Sequence, residues 1–252
     1  MAEDNLVVGV KLDKSSSIWS CDSCEYAKAH GKPIWKEWEF PRASKLGEEV
    51  HSDMWGPALV QTINGREYYG SFTDDFSRYT HLYLLRTKGQ VFDACKSYEA
   101  ELMMQCKASI TKLRSDRGGE YLSSPFNDHL SKAGTLRILT IHDTPKYNGV
   151  SERLNHTLLE KVRAMLHASQ LLKFLWGEAV KHAVYLKNRT LNKALNGMTP
   201  YEAFYGMKPN ITGLHEFGKK VWVHTMAGSK LDGRSETGRW VGFNETSDGH
   251  QI

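Results

Sequence analysis

The chain has 252 residues, 40% of them hydrophobic and 25% charged, close to the globular average, which speaks against a disordered, collagen-like or coiled-coil chain. At roughly 150 residues per domain, one large domain or one domain with small appendages is expected. A formal charge of +4 permits nucleic-acid binding without demonstrating it. No apolar run approaches the roughly 20 residues of a membrane span, and residues 1–20 lack the pattern of a signal peptide, so a soluble, intracellular protein with no membrane partner is expected.

In chain order, the first 45 or so residues carry no long periodic pattern and read as an appendage. From Glu49 the texture changes, with Val50–Met54 a short strand, then Tyr68–Asp75 and Tyr79–Arg86 as neighbouring antiparallel strands. Val91, Cys95, Tyr98, Leu102 and Cys106 recur at helical spacing behind Lys88–Gln90. Ile110–Ser115 is the next strand, ending in Asp116-Arg117-Gly118-Gly119-Glu120, where the glycines allow a sharp turn. A short helix over Ser124–Ala133 and a strand over Leu136–Ile141 follow. Asn148-Gly149 is a turn signal, and Ser151 is the expected N-cap of a helix whose apolar stripe is Leu154, Leu158, Val162, Met165 and Leu166. Phe174–Asn188 is a second amphipathic helix, and Pro200 suits the first turn of a short third one. Strands return at Val221–His224 and Arg239–Phe243. The order predicts an α/β fold, a mixed sheet with its first three strands antiparallel, as in a ribonuclease-H-like core.

Most acids in a soluble chain are solvated, and position singles out three. Asp53 ends the first strand, Asp116 ends the fourth, and Glu152 opens a helix after a turn. In an α/β sheet, strand ends and the following helix N-terminus converge on one rim, where ligands sit. Three carboxylates there repel unless a cation neutralises them, and Mg²⁺ or Mn²⁺ is the hard divalent ion that accepts such oxygens. Two such ions bridging a phosphate would serve phosphoryl transfer. Thirty-five residues separate Asp116 from Glu152.

The segments His51-Ser-Asp53-Met-Trp-Gly-Pro57, Thr73-Asp-Asp-Phe-Ser-Arg78, Leu113-Arg-Ser-Asp116-Arg-Gly-Gly-Glu-Tyr121 and Thr144-Pro-Lys-Tyr-Asn-Gly-Val-Ser-Glu152-Arg resemble the integrase core of Ty1/copia-type retrotransposons, with the three acids of the D,D-35-E signature in place. The similarity continues through Leu158–Leu166, Trp176–Ala179, Tyr185–Arg189, Thr199–Ala203 and Gly238–Phe243. The resemblance implies a ribonuclease-H-like five-stranded mixed sheet flanked by helices over 46–210. It also implies a small SH3-like β module over 211–252, cut short, and a truncated zinc-module remnant with linker over 1–45, the whole being a fragment of a Gag-Pol polyprotein. It further implies that Asp53, Asp116 and Glu152 are both catalytic and metal-binding. They would hold two Mg²⁺ or Mn²⁺ ions when DNA is bound and perform 3′-end processing and strand transfer without a covalent enzyme intermediate. The implied partners are retrotransposon ends and target DNA, with RNA as a further polynucleotide, and a second copy of the chain. The joining step would take place in the nucleus.

Asn155, His156 and Arg163 follow Glu152 on the polar side of the same helix and are candidate phosphate contacts, although an ordinary solvated face explains them as well. From Arg153 to Lys193, eight basic residues (Arg153, Lys161, Arg163, Lys173, Lys181, Lys187, Arg189 and Lys193) face two acids, a local +6 that suits salt-sensitive DNA-backbone contact. Asp74 and Asp75 are expected to be structural, Glu120 to support the Gly-Gly loop, and His142 and Asp143 to be plain loop. Trp176 and Trp222 are expected to fill core or domain contacts. Cys21-x-x-Cys24 resembles the second half of a His-His-Cys-Cys module. Zinc needs four ligands in a closed structural site, and no histidine occurs in residues 1–20, so an intact Zn²⁺ site is not expected. The four cysteines are too few and too uneven for a disulfide framework. Two other readings stay open: a catalytically inactive nucleic-acid-binding remnant, and a transposase or nuclease of the same fold.

Overall fold

The structure is a computed structural model, and it describes residues 42–139, 149–224, 233–244 and 249–252. Cys21, Cys24, His142 and Asp143 lie outside the described residues. Five strands, β1 (Glu49–Trp55), β2 (Tyr68–Asp74), β3 (Thr80–Leu85), β4 (Lys112–Ser115) and β5 (Leu136–Leu139), form one sheet in the order β3-β2-β1-β4-β5. The β1–β2 and β2–β3 pairs are antiparallel, and the β1–β4 and β4–β5 pairs are parallel. The antiparallel first three strands and the mixed sheet are as expected from the element order, and the number of strands is as the resemblance implies.

Helices α1 (Val91–Cys106) and α2 (Ser124–Ala133) contribute to one apolar cluster, while α3 (Gly149–Ser169) and α4 (Trp176–Arg189) contribute to a second. Val50, Phe72, Cys95, Tyr98, Leu113 and Phe126 belong to the first cluster, and Tyr69, Leu158, Val162, Ala179 and Ala183 to the second. Cys95 is wholly enclosed and Cys106 half-buried, as their places on the α1 stripe predict.

Successive side chains of a strand point to opposite faces. On β2, Tyr69 lies in the α3/α4 cluster and Phe72 in the other. On β1, Val50 joins the α1/α2 cluster and Trp55 packs against the other. Asp53 has the parity of Trp55, so the alternation turns it towards α3. With both faces covered, β1 buries His51, Ser52 and Asp53 as well as Val50, so it shows no clean apolar alternation in sequence.

Three sequence expectations are corrected. The α3 helix begins at Gly149, so Ser151 lies inside its first turn and is buried; the chain becomes helical at the glycine read as a turn residue. The single strand expected over Arg239–Phe243 is two, β7 (Ser235–Arg239) and β8 (Gly242–Phe243). Strand β7 pairs with β6 (Lys220–His224), and β8 with β9 (His250–Gln251). Between them Trp240 is buried against His182, and Gly242 takes φ +145°, a value that favours glycine. Trp222 is not a core residue. It is 68% exposed, with Lys220 Nζ 5.2 Å from its ring centroid, because a two-stranded ribbon leaves one face without cover.

Residues Phe40–Ile252 form one compact unit, and Phe217 and Val241 pack into the α3/α4 cluster. The short helix α5 (Pro200–Tyr205) starts at Pro200, as its sequence suggests, and the Thr199 hydroxyl caps it by accepting the Glu202 N–H at 3.0 Å. Among the described residues no helix is long and apolar enough to cross a membrane.

His182 on α4 is 4% exposed, packed edge-on against Trp240 and stacked on Phe217. Burial pushes its pKa down to about 4. The unfolded chain takes up this proton near pH 6.5 while the folded one resists it, so the contribution is complete above about 6.5 and is lost as pH falls towards 4. Urea titrations between pH 7 and 4 are expected to show this group's share, roughly 3 kcal/mol at the acid end. His182→Phe is expected to remove that part of the slope, and an unchanged slope would refute the assignment.

Candidate active site

Asp53 is 8% exposed and lies near, though not at, the end of β1, which runs on to Trp55. Its Oδ1 accepts the Met54 N–H at 2.9 Å, and its Oδ2 accepts Asn155 Nδ2 at 2.9 Å. Asn155 in turn accepts the Tyr69 hydroxyl at 3.0 Å. Asp116 directly follows β4, and its Oδ1 accepts the Gly118 N–H at 3.0 Å. Glu152 is exposed in the first turn of α3, where the positive end of the helix dipole favours a carboxylate.

Asp53 is within the electrostatic reach of both other acids. Burial, then the charge of Asp116 and that of Glu152, push the Asp53 pKa up to about 7, against the Met54 N–H, which pulls it down. A carboxyl that feels two others in a desolvated place relieves the repulsion by keeping its proton. Among the described residues no group of three His, Cys, Asp or Glu side chains stands ready to hold a metal ion. The donor set is nevertheless all carboxylate, the chemistry of a hard divalent cation, and such an ion would take the place of the retained proton in offsetting the repulsion. In kind, the residues fit Mg²⁺ or Mn²⁺.

A buried bond ties the two acid-bearing strands together. Tyr121, after the Asp116 loop, shares a 2.7 Å hydrogen bond with the Ser52 hydroxyl of β1, and both side chains are fully buried. Gly118 leaves room for the Glu120 carboxylate, since a Cβ there would stand 2.7 Å from Glu120 Oε1; Glu120 thus belongs to the loop, as expected. Tyr121→Phe strands the Ser52 hydroxyl and is expected to cost about 1–3 kcal/mol in chemical denaturation. The Ser52→Ala, Tyr121→Phe double variant is expected to cost less than the sum of the singles, and strict additivity would show that the bond carries nothing.

The remaining sequence candidates divide. Asp74 accepts the Gly47 N–H and the N–H and hydroxyl of Ser77. Asp75 accepts the Ala43 N–H and lies 2.8 Å from Arg78 and 3.3 Å from His51. Both have structural roles. His156 is exposed with Nδ1 3.5 Å from Glu160 Oε1, and Arg163 is exposed further along α3. Asn155 does not stand open on that face: it is half-buried, its nitrogen donating to Asp53 and its oxygen accepting the Tyr69 hydroxyl. Nor is the basic +6 stretch one open strip. Lys187 donates to the Arg78 carbonyl and, at 2.7 Å, to Thr80 Oγ1, with burial pushing its pKa down to about 7. Arg189 stacks on Tyr185 and Tyr201. These two cations serve packing because α4 faces the edge of the sheet at β3. Tyr69 escaped the sequence reading, since a tyrosine in a strand signals only β-propensity until its neighbour across the helix is known.

No family model matches the chain. It is 33% identical over 245 residues to the Retrovirus-related Pol polyprotein from transposon TNT 1-94 of Nicotiana tabacum, covering 96% of this chain and 18% of that protein. It is 31% identical over 241 residues to the Pol polyprotein from transposon RE2 of Arabidopsis thaliana, covering 95% and 16% respectively. Its homologues are Ty1/copia-type Pol polyproteins. The chain spans less than a fifth of the length of these relatives. Among solved structures, a chain of the simian T-cell lymphotropic virus intasome, in complex with PP2A regulatory subunit B56 gamma, superposes with a TM-score of 0.57 at 16% identity. That match covers 88% of this chain and 77% of the other. The fold is the ribonuclease-H-like fold of integrase catalytic cores.

Proposed function

We propose that this chain is the integrase portion of a Ty1/copia-type polyprotein, a metal-dependent polynucleotidyl transferase that trims retrotransposon DNA at its 3′ ends and joins them to target DNA. The observation that carries this reading is geometric: Asp53 near the end of β1 and Asp116 directly after β4 sit on paired parallel strands, and the Asn155–Asp53 hydrogen bond brings the first turns of α3, which carry Glu152, to the same edge. An all-carboxylate cluster at the rim of such a sheet suits attack on a phosphodiester. Homology to Pol polyproteins and the integrase fold support the same class of chemistry.

Asp53 and Asp116 would hold a pair of divalent metal ions when DNA is bound, with Glu152 completing the second ion's shell. Bound there, the cations supply Lewis-acid stabilisation of the attacking and leaving oxygens. The Met54 N–H and the Asn155 amide orient Asp53, and the Gly118 N–H orients Asp116. Glu152, exposed in the first turn of α3, would be open to a DNA strand. Arg163 and the exposed Arg153 offer positive charge along the same helix, and such contacts would weaken with salt. Coordinated joining of two ends, in the nucleus, would require at least two copies of the chain.

The test is a strand-transfer assay with Mn²⁺ and labelled DNA duplexes, where joined products are expected. DNA binding with neither nicking nor joining overturns the proposal. Cleavage confined to the RNA strand of a hybrid would also overturn it and assign a ribonuclease instead.

A further inference from the structure

Tyr69 is wholly enclosed in the α3/α4 cluster, stacked on Trp55 at 5.3 Å between ring centroids. Phenylalanine would pack there equally well, so the hydroxyl is the one part of the side chain that packing does not require. A buried hydroxyl is costly unless bonded. This one donates to the Asn155 carboxamide oxygen at 3.0 Å, and the other end of that amide donates to Asp53 Oδ2 at 2.9 Å. When it holds a cation Asp53 is ionised and only accepts hydrogen bonds, which suits the observed amide, with its nitrogen towards Asp53 and its oxygen towards Tyr69. The tyrosine, as a donor, holds the amide in that one of its two orientations.

We propose that Tyr69 is a positioning residue that acts through Asn155 to hold the Asp53 carboxylate in its ligating orientation. The terminal torsion of an aspartate is broad and roughly two-fold, so a carboxylate held at one oxygen alone can still tilt. Here the Met54 N–H holds Oδ1 and the amide holds Oδ2. Without the hydroxyl, the Asn155 amide is free to turn its oxygen towards Asp53, where it repels the carboxylate. The inference rests on the reading of Asp53 as a metal ligand and deepens it by extending the site to a residue in the interior of the sheet.

The experiment uses the full chain with Tyr69→Phe, Asn155→Ala, the double variant and Asp53→Asn. In the metal-free protein, the Asn155 side-chain amide protons, assigned by their loss in Asn155→Ala, are expected to exchange with solvent about ten-fold faster in Tyr69→Phe. Mn²⁺ affinity measured without DNA is expected to fall on the order of ten-fold in each single variant, the usual effect of removing a group that orients a ligand. The double variant is expected to lose no more than Asn155→Ala alone, and kcat to fall while KM for DNA stays within about two-fold. Wild-type exchange and Mn²⁺ affinity in Tyr69→Phe overturn the proposal, as does a double-variant loss equal to the product of the singles. Should Tyr69→Phe fail to fold, Asn155→Ala on the half-buried side of α3 tests the same link, and wild-type Mn²⁺ affinity there is equally decisive against it. If Asp53→Asn keeps Mn²⁺ affinity, the reading of Asp53 as a ligand fails. Amide exchange then shows separately whether the Tyr69–Asn155 bond exists.

Discussion

Asp116→Asn is expected to abolish joining of DNA ends, with a loss on the order of 10³-fold or more at unchanged fold. The substitution removes one negative charge and changes no volume. Asn keeps a carbonyl oxygen for the Gly118 N–H that Asp116 Oδ1 now accepts at 3.0 Å, so the loop after β4 has no reason to move. What disappears is one anionic ligand of the cluster. A cation's stabilisation of the transition state amounts to several kcal/mol, and each 1.4 kcal/mol is a factor of about ten in rate. DNA binding measured by fluorescence anisotropy is expected to change little, because the substitution leaves the cations along α3 in place. Joining at the wild-type rate by Asp116→Asn would remove the carboxylate cluster from the mechanism.

The second large effect is on stability and has the opposite sign. Asp53 titrates near 7 in the folded chain and near 3.9 when unfolded. The folded state therefore binds this proton more tightly, which favours folding at low pH. That advantage is lost as pH rises from about 4 to 7, and above 7 the ionised group costs folding roughly 4 kcal/mol. Asp53→Asn removes the charge but has one oxygen for two donors, the Met54 N–H and the Asn155 amide, and so forfeits about 1 kcal/mol. The net expectation at pH 8 without metal is a gain of roughly 2–3 kcal/mol, on the order of 5–10 °C in Tm, that shrinks and reverses below pH 4. Added Mn²⁺ is expected to raise the Tm of the wild type through binding to the folded state and to leave Asp53→Asn nearly unmoved. A variant less stable than wild type at pH 8 would mean that burial and the neighbouring acids do not penalise an ionised Asp53.

The two expectations together describe a site that is destabilising by itself and useful when occupied. Folding brings Asp53 out of water next to two like charges, and the surrounding network accepts that cost: the Ser52–Tyr121 bond joins β1 to the segment after β4, and the Leu154, Leu158 and Val162 stripe of α3 seats Glu152's helix on the sheet. Asp75 illustrates the contrast, whereas burial still pushes the Asp74 pKa up in spite of its donors. Both are as acidic in sequence as Asp53, yet Asp74 is surrounded by N–H and O–H donors and Asp75 by a donor and two basic side chains. The Asp75 pKa goes down to about 2 under the His51 bond and the Arg78 charge, in spite of its burial. Neighbours, not residue type, divide these carboxylates into structural and candidate catalytic ones.

Features governed by local periodicity were legible along the chain. The α1 stripe, the two antiparallel strands around Phe76-Ser77-Arg78, the Pro200 helix start and the Asp116–Glu152 spacing all depend on residues near one another in sequence, and the resemblance of motifs extended them to a fold. Three matters were settled only by packing. Lys187 and Arg189 read as part of a basic strip and turned out to serve the interior, because a helix's polar residues face whichever neighbour the fold supplies. Trp222 read as core and is exposed, because a short ribbon has only one face to cover. Asn155 read as a surface contact and is bonded to Asp53, a partner 102 positions away. Hydrogen bonds across that distance are decided when β1, β2 and α3 meet, and so are the pKa of Asp53 and the role of Tyr69. Linear order places the acids at strand ends and a helix start, whereas their shared field and their orientation come from the tertiary structure, which alone brings charge and donor within reach in a place that water has left.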